Sequence, residues 1–588
     1  MITPVSFIKA QQIDMYLDLH DKERTPIAMA ADGTGVMSET NNILYWDLGG
    51  NPVSIFTPSS GATRPYAVCS RDYMYFEDGV SADLKKWTLD TGLSNWGIVA
   101  PTTAVTLGSP GAGNITLNSG RIYYTAFFDA AGNYSDLSPA SVTTGPLTNN
   151  DQPLTNIPVS SDPQVTMVAI LATADGGDPT ILYHIADVSN GTTTYTDNTP
   201  EATLLTNNIY QETDTSGVAH GLLFNTPPPN GSFPIANQGR IYMALGSQIV
   251  FSKSLAETTT STGNITGRYE EDWPAANALE VAPGPEVISG LLTDGISLYI
   301  GTELHIYQLQ GNGPTNFVLP QIVFNDTGLA CQDVWQVVYL EGTPVGTMWM
   351  TPDFRVLGSD FTTFQNVGTT IQSTLNNINA AAAKNSWAIS VRSGPYNLYC
   401  LFIPTGINTI PDTVCVYDMH VRKWFIWKCA DLFSAGVYYC NLAGIPRFLV
   451  CDNAGITRVF EADLWLDRQG ETFEEGIVST IQTTWLDLGD ATVRKTVNEM
   501  EVVTEDANML VTVDGASTFN TFNTPNNLVT LAPLTLSQFN EYKVYLAGML
   551  AKDKFYRFTL SSTSVPSSAI TDTILGGLSI EVWPLDRI

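Results

Sequence analysis

Acid–base chemistry needs two carboxylates held about 5–9 Å apart, and two groupings could supply them: Glu270 to Asp272, and Asp463 with Asp467. Spacing alone favours a solvated surface for both. Asp129-Ala-Ala-Gly-Asn-Tyr-Ser-Asp136 has the oxygens of a calcium loop but lacks the terminal bidentate Glu and enough alternate ligands, so a hairpin turn is expected. The five histidines (His20, His184, His220, His305, His420) are scattered, none at a zinc-like distance from a cysteine. The seven cysteines form no C-x-x-C pair. Cys400, Cys415, Cys429, Cys440 and Cys451 fall at intervals of 15, 14, 11 and 11. That is strand spacing, and buried small hydrophobes are expected rather than disulfides or metal ligands.

Motifs for nucleotide, metal or hydrolytic chemistry are missing from the sequence: there is no phosphate loop ending in Lys-Ser/Thr, no H-E-x-x-H and no G-x-S-x-G. Gly108-Ser-Pro-Gly-Ala-Gly113 lacks the preceding strand of a dinucleotide turn and reads as a linker. Ser81-Ala-Asp-Leu-Lys-Lys-Trp87 approaches the S-x-D-x-G-x-x-W turn of sialidases, but it has no Gly, places Trp one residue early and occurs once. Arg422-Lys-Trp-Phe-Ile-Trp427 could stack nucleic-acid bases; its alternation instead sends Trp424 and Ile426 to one face and Phe425 and Trp427 to the other, as packed sheets require. No catalytic, cofactor or metal site is expected, and the protein is not expected to be an enzyme.

The elements that must hold these residues are hairpins. Val414-Cys-Val-Tyr-Asp-Met-His-Val-Arg-Lys-Trp-Phe-Ile-Trp427 sets two aromatic and β-branched runs around a tight polar turn. Looser versions recur at Ile43 to Phe56, Tyr73 to Trp87, Leu298 to Leu309, Thr347 to Gly358, Trp387 to Phe402 and Phe448 to Phe460. A hairpin cannot bury both faces alone, so its copies must stack. Closing the stack into a β-propeller hides most strand edges. Hairpin count suggests roughly six to eight blades.

At 588 residues the chain is too long for one core, and length suggests about three to five domains. The expected class is mostly β: a β-propeller with an inserted fibronectin III-like β-sandwich and a C-terminal β-sandwich. Residues 1–100 hold the first blades and 101–230 the inserted module, bounded by the Pro/Gly/Ser/Thr run 101–113 and the stiff exit Asn225-Thr-Pro-Pro-Pro-Asn230. Residues 231–475 hold the remaining blades. They include one amphipathic helix near 370–384, with Ile371, Leu375, Ile378 and Ala382 on its core face. Residues 476–588 form the last sandwich.

Charge is uneven. The net charge of −31 makes tight nucleic-acid binding through a basic face improbable. Between Trp87 and Phe251 the only basic residues are Arg121 and Arg240, against twelve acidic ones. The inserted module therefore reads as separate, acidic and lysine-free. The start Met1-Ile-Thr-Pro-Val-Ser-Phe-Ile-Lys9 lacks the basic-then-apolar order of a secretory leader, and no apolar run of about 18 residues occurs, so neither leader nor membrane insertion is expected.

Several segments, in order, resemble tail hub and nozzle proteins of short-tailed bacteriophages (tail tubular protein B-like, or packaged-DNA stabilisation protein-like). These are Tyr75-Phe-Glu-Asp-Gly79 with Trp96-Gly-Ile-Val-Ala-Pro101, then Gly120-Arg-Ile-Tyr-Tyr124 with Ser135-Asp-Leu-Ser-Pro139, then Ile249-Val-Phe-Ser-Lys253. Ser289-Gly-Leu-Leu-Thr-Asp-Gly-Ile-Ser-Leu-Tyr-Ile-Gly-Thr302, Ile306-Tyr-Gln-Leu-Gln-Gly-Asn-Gly-Pro314, Val416-Tyr-Asp-Met419 with Lys423-Trp424, and Leu578-Ser-Ile-Glu-Val-Trp-Pro584 complete the series. The similarity spans nearly the whole chain. It implies a non-enzymatic virion protein of the tail, assembled in the host cytoplasm as a hexameric tube that extends the DNA-ejection channel and helps retain the genome. The implied partners are further copies of the chain, the phage adaptor (connector) protein, tail fibres or tailspikes, and double-stranded DNA passing through the lumen without sequence-specific binding. No cofactor is implied, and the shared positions look structural. Asp129, Asp136, Asp175 and Asp178, on predicted turns of the acidic module, are the candidates for channel-facing carboxylates, with plain surface exposure as the simpler alternative. A propeller that degrades or binds polysaccharide on the virion is the other reading; it would need paired acids in one cleft or exposed Trp shelves.

Overall fold

A computed structural model describes residues 92–209, 226–254 and 269–428 almost throughout; elsewhere it describes strands between 24 and 88, at 212–213 and 219–221, and between 432 and 584, many by backbone alone. The protein is mostly β, built from several four-stranded antiparallel sheets. Two units separate by compactness: residues 19–446 with 451–456, and residues 1–18 and 447–450 with 457–588.

In the larger unit, consecutive hairpins form meandering four-stranded sheets, named here sheet I (24–56), II (66–95), III (232–280), IV (288–324), V (336–366) and VI (387–428). Sheet VII starts in this unit with Phe433–Cys440 and has three strands, the last of which, Thr457–Phe460, is counted with the smaller unit. All the hairpins read from sequence form. Ile43 pairs Phe56, Met74 pairs Trp87, Leu298 pairs Leu309, Met348 pairs Gly358, Trp387 pairs Phe402 and Val414 pairs Trp427. Strands Pro446–Asp452 and Thr457–Phe460 are neighbours. The last hairpin turns because Asp418 Oδ1 accepts from the N–H groups of His420 and Val421 at 2.8 and 3.2 Å, while Arg422 takes φ 53°.

The first strand of each sheet lies beside the first strand of the next. Arg24–Met29 packs on Tyr66–Ser70, that strand on Ser232–Asn237, and the latter on Ile288–Thr293. Ile288–Thr293 meets the 3₁₀ turn Gln332–Val334, which leads into Gln336–Leu340. Gln336–Leu340 lies on Trp387–Ser393, Trp387–Ser393 on Phe433–Cys440, and Phe433–Cys440 on Arg24–Met29. Tryptophans fill the spaces between sheets: Trp335 and Trp349 share a core with Leu329, Tyr399 and Leu401, and Trp96 and Trp273 meet edge-on at 5.7 Å between sheets II and III.

Between sheets II and III the chain builds the inserted module. One sheet pairs Gly111–Leu117, Leu147–Thr155, Thr194–Asp197 and the short Thr106–Leu107; the other pairs Tyr123–Asp129, Val165–Ala172 and Tyr183–Ser189. Its core contains Ile98 and Val105, so the module starts just after Trp96. The run 101–113 is therefore not a linker: Gly111 and Gly113 belong to a strand and let it approach Asp151 and Asn150 where a Cβ would collide.

The expected helix near 370–384 is also corrected. Ile371, Leu375, Ile378 and Ala382 are buried as the spacing requires, but Ile371, Leu375 and Ala382 lie on three separate turns, Gly368–Ile371, Gln372–Leu375 and Ala380–Asn385, and Ile378 falls between the last two. Ile378 bridges Thr405, and the Asn379 N–H donates to Pro404 while its side chain caps Ala381. Those bonds to the neighbouring loop replace the helical ladder.

In the smaller unit two antiparallel sheets run in the orders Thr480–Gln482, Phe555–Ser562, Met509–Ala516, Asn526–Leu534 and Asn540–Tyr545, Lys495–Glu505, Ile574–Pro584. Arg557 pairs with Asp514 at 2.8 Å across neighbouring strands.

Candidate functional site

The inserted module is where charge is most lopsided, and its four candidate acids are placed by turns. Asp129 closes the turn after Tyr123–Asp129: its carboxylate accepts from the N–H groups of Ala131 and Asn133 and from Asn133 Nδ2, at 2.7–2.9 Å. The turn expected in place of a calcium loop is thus the observed one, with Phe128 stacked on Tyr134 at 4.7 Å. Asp136 accepts from Thr226 Oγ1 at 2.6 Å, tying the module to its own exit segment. Asp175 accepts three successive backbone N–H bonds, from Asn118, Ser119 and Gly120, at 2.7–2.8 Å. Partial burial works against its ionisation, but those donors outweigh it and hold the carboxyl below the ordinary range. Asp178, exposed, accepts from the Thr180 N–H and hydroxyl, which lower its pKa.

The four do not converge. Asp129 pairs with Val165 at the end of the sheet where the chain enters: there Asn95 Nδ2 reaches Asp162 at 2.9 Å and Gln164 Nε2 donates to the Gly97 carbonyl at 2.9 Å. Asp136 bonds the exit at the same end. Asp175 and Asp178 follow Ala172, which pairs Tyr123 at the opposite end, about 20 Å away along a seven-residue strand.

The module's one cation is withdrawn from solvent. Arg121 is 0% exposed; its guanidinium donates to Asp197 at 3.0 Å, Glu201 at 2.8 Å and the Thr199 carbonyl at 2.8 Å. Burial opposes the charge, yet the hydrogen bonds donated to Glu201 and the field of Asp197 outweigh it and raise the pKa. Tyr123 donates to the same Asp197 at 2.8 Å and is driven far above its usual range, first by burial and then by that carboxylate. Arg240, the other cation of the stretch, is 2% exposed. From Thr88 to Val250, therefore, solvent meets carboxylates and essentially no cationic side chain.

A second device lies on the free edge of Tyr123–Asp129. Ser135, Ser138 and Ser141 each send their backbone N–H to the carbonyls of Phe127, Thr125 and Tyr123, and Thr144 sends its own to Arg121. Their hydroxyls accept the N–H groups of the same four residues at 2.9–3.0 Å and donate to the carbonyl of the following residue. One chain advances three residues for every two of the other, so two residues loop outward between contacts, and the hydroxyl supplies the bond a true ladder would have made. This covers an edge strand that would otherwise be open to pairing. Its sequence signal is S-x-x-S-x-x-S-x-x-T at 135–144, a period of three that strand and helix templates both miss.

Two polar clusters in the sheets could carry chemistry. Glu270, Glu271 and Asp272, expected on a solvated surface, are instead 0–2% exposed. Lys86 pairs with Glu271 at 2.5 Å, Lys253 pairs with Asp272, Ser70 donates to Glu270 at 2.7 Å, and Trp96 and Trp273 both donate to the Glu270 carbonyl. The charge run is drawn inside because both lysines come with it and because Tyr269 and Trp273 flank it. Asp463 and Asp467 lie outside the residues whose side chains are described. The second cluster is His305, whose Nδ1 meets Glu286 at 3.0 Å while Thr302 donates to the same carboxylate at 2.5 Å. Burial resists ionisation of Glu286, but these bonds lower its pKa. Among the described residues no serine or cysteine side chain bonds His305, so the pair lacks a nucleophile. Cys400 and Cys415 are buried and free on neighbouring strands, with burial raising both thiols, as their spacing suggested.

No family model and no curated protein matches the chain. Solved structures to which it is similar include Hsv2 of Kluyveromyces lactis (8% identity over 69% of this chain and 98% of that one, TM-score 0.24), a Bacteroides uniformis protein described as a 6-phosphogluconolactonase (11%, 60% and 93%, 0.25) and BBS1N in complex with ARL6DN (12%, 62% and 99%, 0.23). TM-scores of that size define no common fold.

Proposed function

We propose that this chain is a structural subunit of a bacteriophage tail nozzle or hub, a ring-forming segment of the DNA-ejection conduit. In this reading sheets I to VII close around an axis as a seven-bladed propeller, the module at 98–225 is a fibronectin III-like sandwich, and the smaller unit is a second sandwich. The neighbouring first strands, running from Arg24–Met29 round to Phe433–Cys440 and back, support the closure. The function rests on the surface from Thr88 to Val250, with its two arginines buried. A wall for double-stranded DNA must not grip it, since each exposed Lys or Arg that neutralises a phosphate adds salt-dependent affinity. Asp175 and Asp178, at the end of the module away from its stem, are the better channel-facing candidates; Asp129 and Asp136 serve the stem.

Copies of the chain make a hexamer in the virion tail, docked on the adaptor protein and contacting tail fibres or tailspikes. The protein is not an enzyme in this reading: a polysaccharide-degrading alternative needs acids converging in an open cleft, and Glu270 to Asp272 converge in the interior. Negative-stain microscopy and mass photometry of the full chain are expected to find sixfold rings of about six times 63.8 kDa. A monomer at every salt and protein concentration, with or without adaptor, overturns the assignment. In assembled virions, Asp178→Lys is expected to slow genome ejection.

A further inference from the structure

Lys253 follows the third strand of sheet III, Gln248–Phe251, and Asp272 precedes its fourth, Ala278–Glu280. The Lys253 N–H donates to the Asp272 carbonyl at 2.8 Å, so the two backbones are fixed face to face. Their side chains, 11% and 0% exposed, meet Nζ to Oδ2. The flanking residues belong to an aromatic core: Val250 on one side and Trp273 on the other pack with Tyr75, Trp96, Ile241 and Met243. The neighbouring pair, Lys86 with Glu271, is equally buried, and Glu270 shares the turn. Three interior carboxylates thus face two interior lysines.

An ion pair taken out of water is costly to hold as charges. Transfer of one proton from Nζ to Oδ2 relieves that cost, and it yields the neutral amine, which is the nucleophilic form. Contact held by packing gives the reacting atoms the effective concentration of an intramolecular reaction. We propose that Lys253 and Asp272 condense to an isopeptide bond, a covalent clamp across the base of sheet III. Nζ attacks Cγ of the protonated Asp272 carboxyl, and an N–C bond forms. The second Nζ proton passes through a carboxylate of the same turn, Glu270 or Glu271, to the departing hydroxyl. The Cγ–O bond breaks and one water leaves. Two opposite charges vanish together, no electron changes hands and no co-reactant is needed.

The test is the intact mass of the full-length, denatured protein, which is expected to fall below the sequence mass by one water, about 18 Da. Peptide mapping is expected to recover a branched peptide joining Lys253 to Asp272. Lys253→Arg and Asp272→Ala are each expected to show the full mass of the substituted sequence, with no water lost, and Glu270→Gln or Glu271→Gln lowers the fraction condensed. A wild-type mass equal to the sequence mass overturns the proposal even if every variant misfolds. A branched peptide that maps to Lys86 and Glu271 overturns the residue assignment. The bond is a property of one chain, so rings without the mass change, or the mass change without rings, separate this inference from the assembly reading.

Discussion

Gly-Arg-Ile-Tyr occurs twice, at Gly120 to Tyr123 in the inserted module and at Gly239 to Tyr242 in sheet III. Both glycines take positive φ (108° and 76°), both arginines are buried and both tyrosines are fully enclosed. The same four residues therefore start a strand in the same way, a turn opening into an inward Arg and an inward ring. The arginines then diverge. Arg121 is neutralised by two carboxylates, whereas Arg240 donates to the carbonyls of Asn312 and Ser252 at 2.7 and 2.8 Å and lies 5.6 Å from the Phe251 ring. The surroundings decide. No tryptophan occurs between Trp96 and Trp273, and the module closes its interior with ions, hydroxyls, aliphatics and the rings of Tyr123, Phe127 and Tyr134. The sheets close theirs with indoles. A module held by specific polar bonds can be acidic throughout because its sole cation is spent internally.

The sharpest way to break the comparison is to remove one anchor from each side. Arg121→Leu strands Asp197 in the interior, and a buried carboxylate robbed of its partner costs about 3–5 kcal/mol. Because the module has no tryptophan, its loss is expected to leave tryptophan fluorescence unfolding unchanged while circular dichroism and limited proteolysis report early melting. Trp349→Ala, which empties a fully buried site and abandons the Thr327 carbonyl, costs a similar 3–5 kcal/mol but moves the fluorescence transition. If both variants shift both probes together, the two regions unfold as one and the comparison fails. Ser138→Ala takes the hydroxyl from the Thr125 N–H and is expected to cost about 1–3 kcal/mol. Its partner control, Thr143→Ala, removes an exposed hydroxyl in the same segment and is expected to be silent in chemical denaturation.

Much of the fold was legible because hairpin patterning is local: alternation and turn residues alone place Val414 opposite Trp427 and Trp387 opposite Phe402. The inserted module was legible as a charge discontinuity, although its start was set too late; a Pro/Gly-rich run such as 101–113 resembles a linker until Val105 is seen in the core. What local pattern could not show was partnership across the chain. Glu270 to Asp272 look solvated until Lys86, 185 residues from Glu271, arrives to meet them. Asp129 and Asp175 look alike as turn acids until strand register sends them to opposite ends of one sheet. The 370–384 segment kept its periodicity, yet Asn379 took the bonds of a neighbouring loop instead of those of a helix.

The smallest effect tests the turn acids themselves. Asp175 is ionised against three N–H groups and has a carboxyl pKa below the unfolded value near 3.9. A depressed acid stabilises the folded module fully above the unfolded pKa and loses that contribution as pH falls through the folded one. Asp175→Asn keeps an oxygen to accept the bonds but not the charge, and charge-assisted bonds are roughly twice as strong as neutral ones. The variant is therefore expected to lose about 1 kcal/mol at pH 7 and to converge with wild type as pH falls through the depressed folded pKa, where wild type loses the charge as well. Following the module by circular dichroism across pH 2 to 7 checks this. Parallel curves for the two proteins would mean that Asp175 acts only as a shape in the loop, and that the acids of this module are set by surface exposure and not by the turns that hold them.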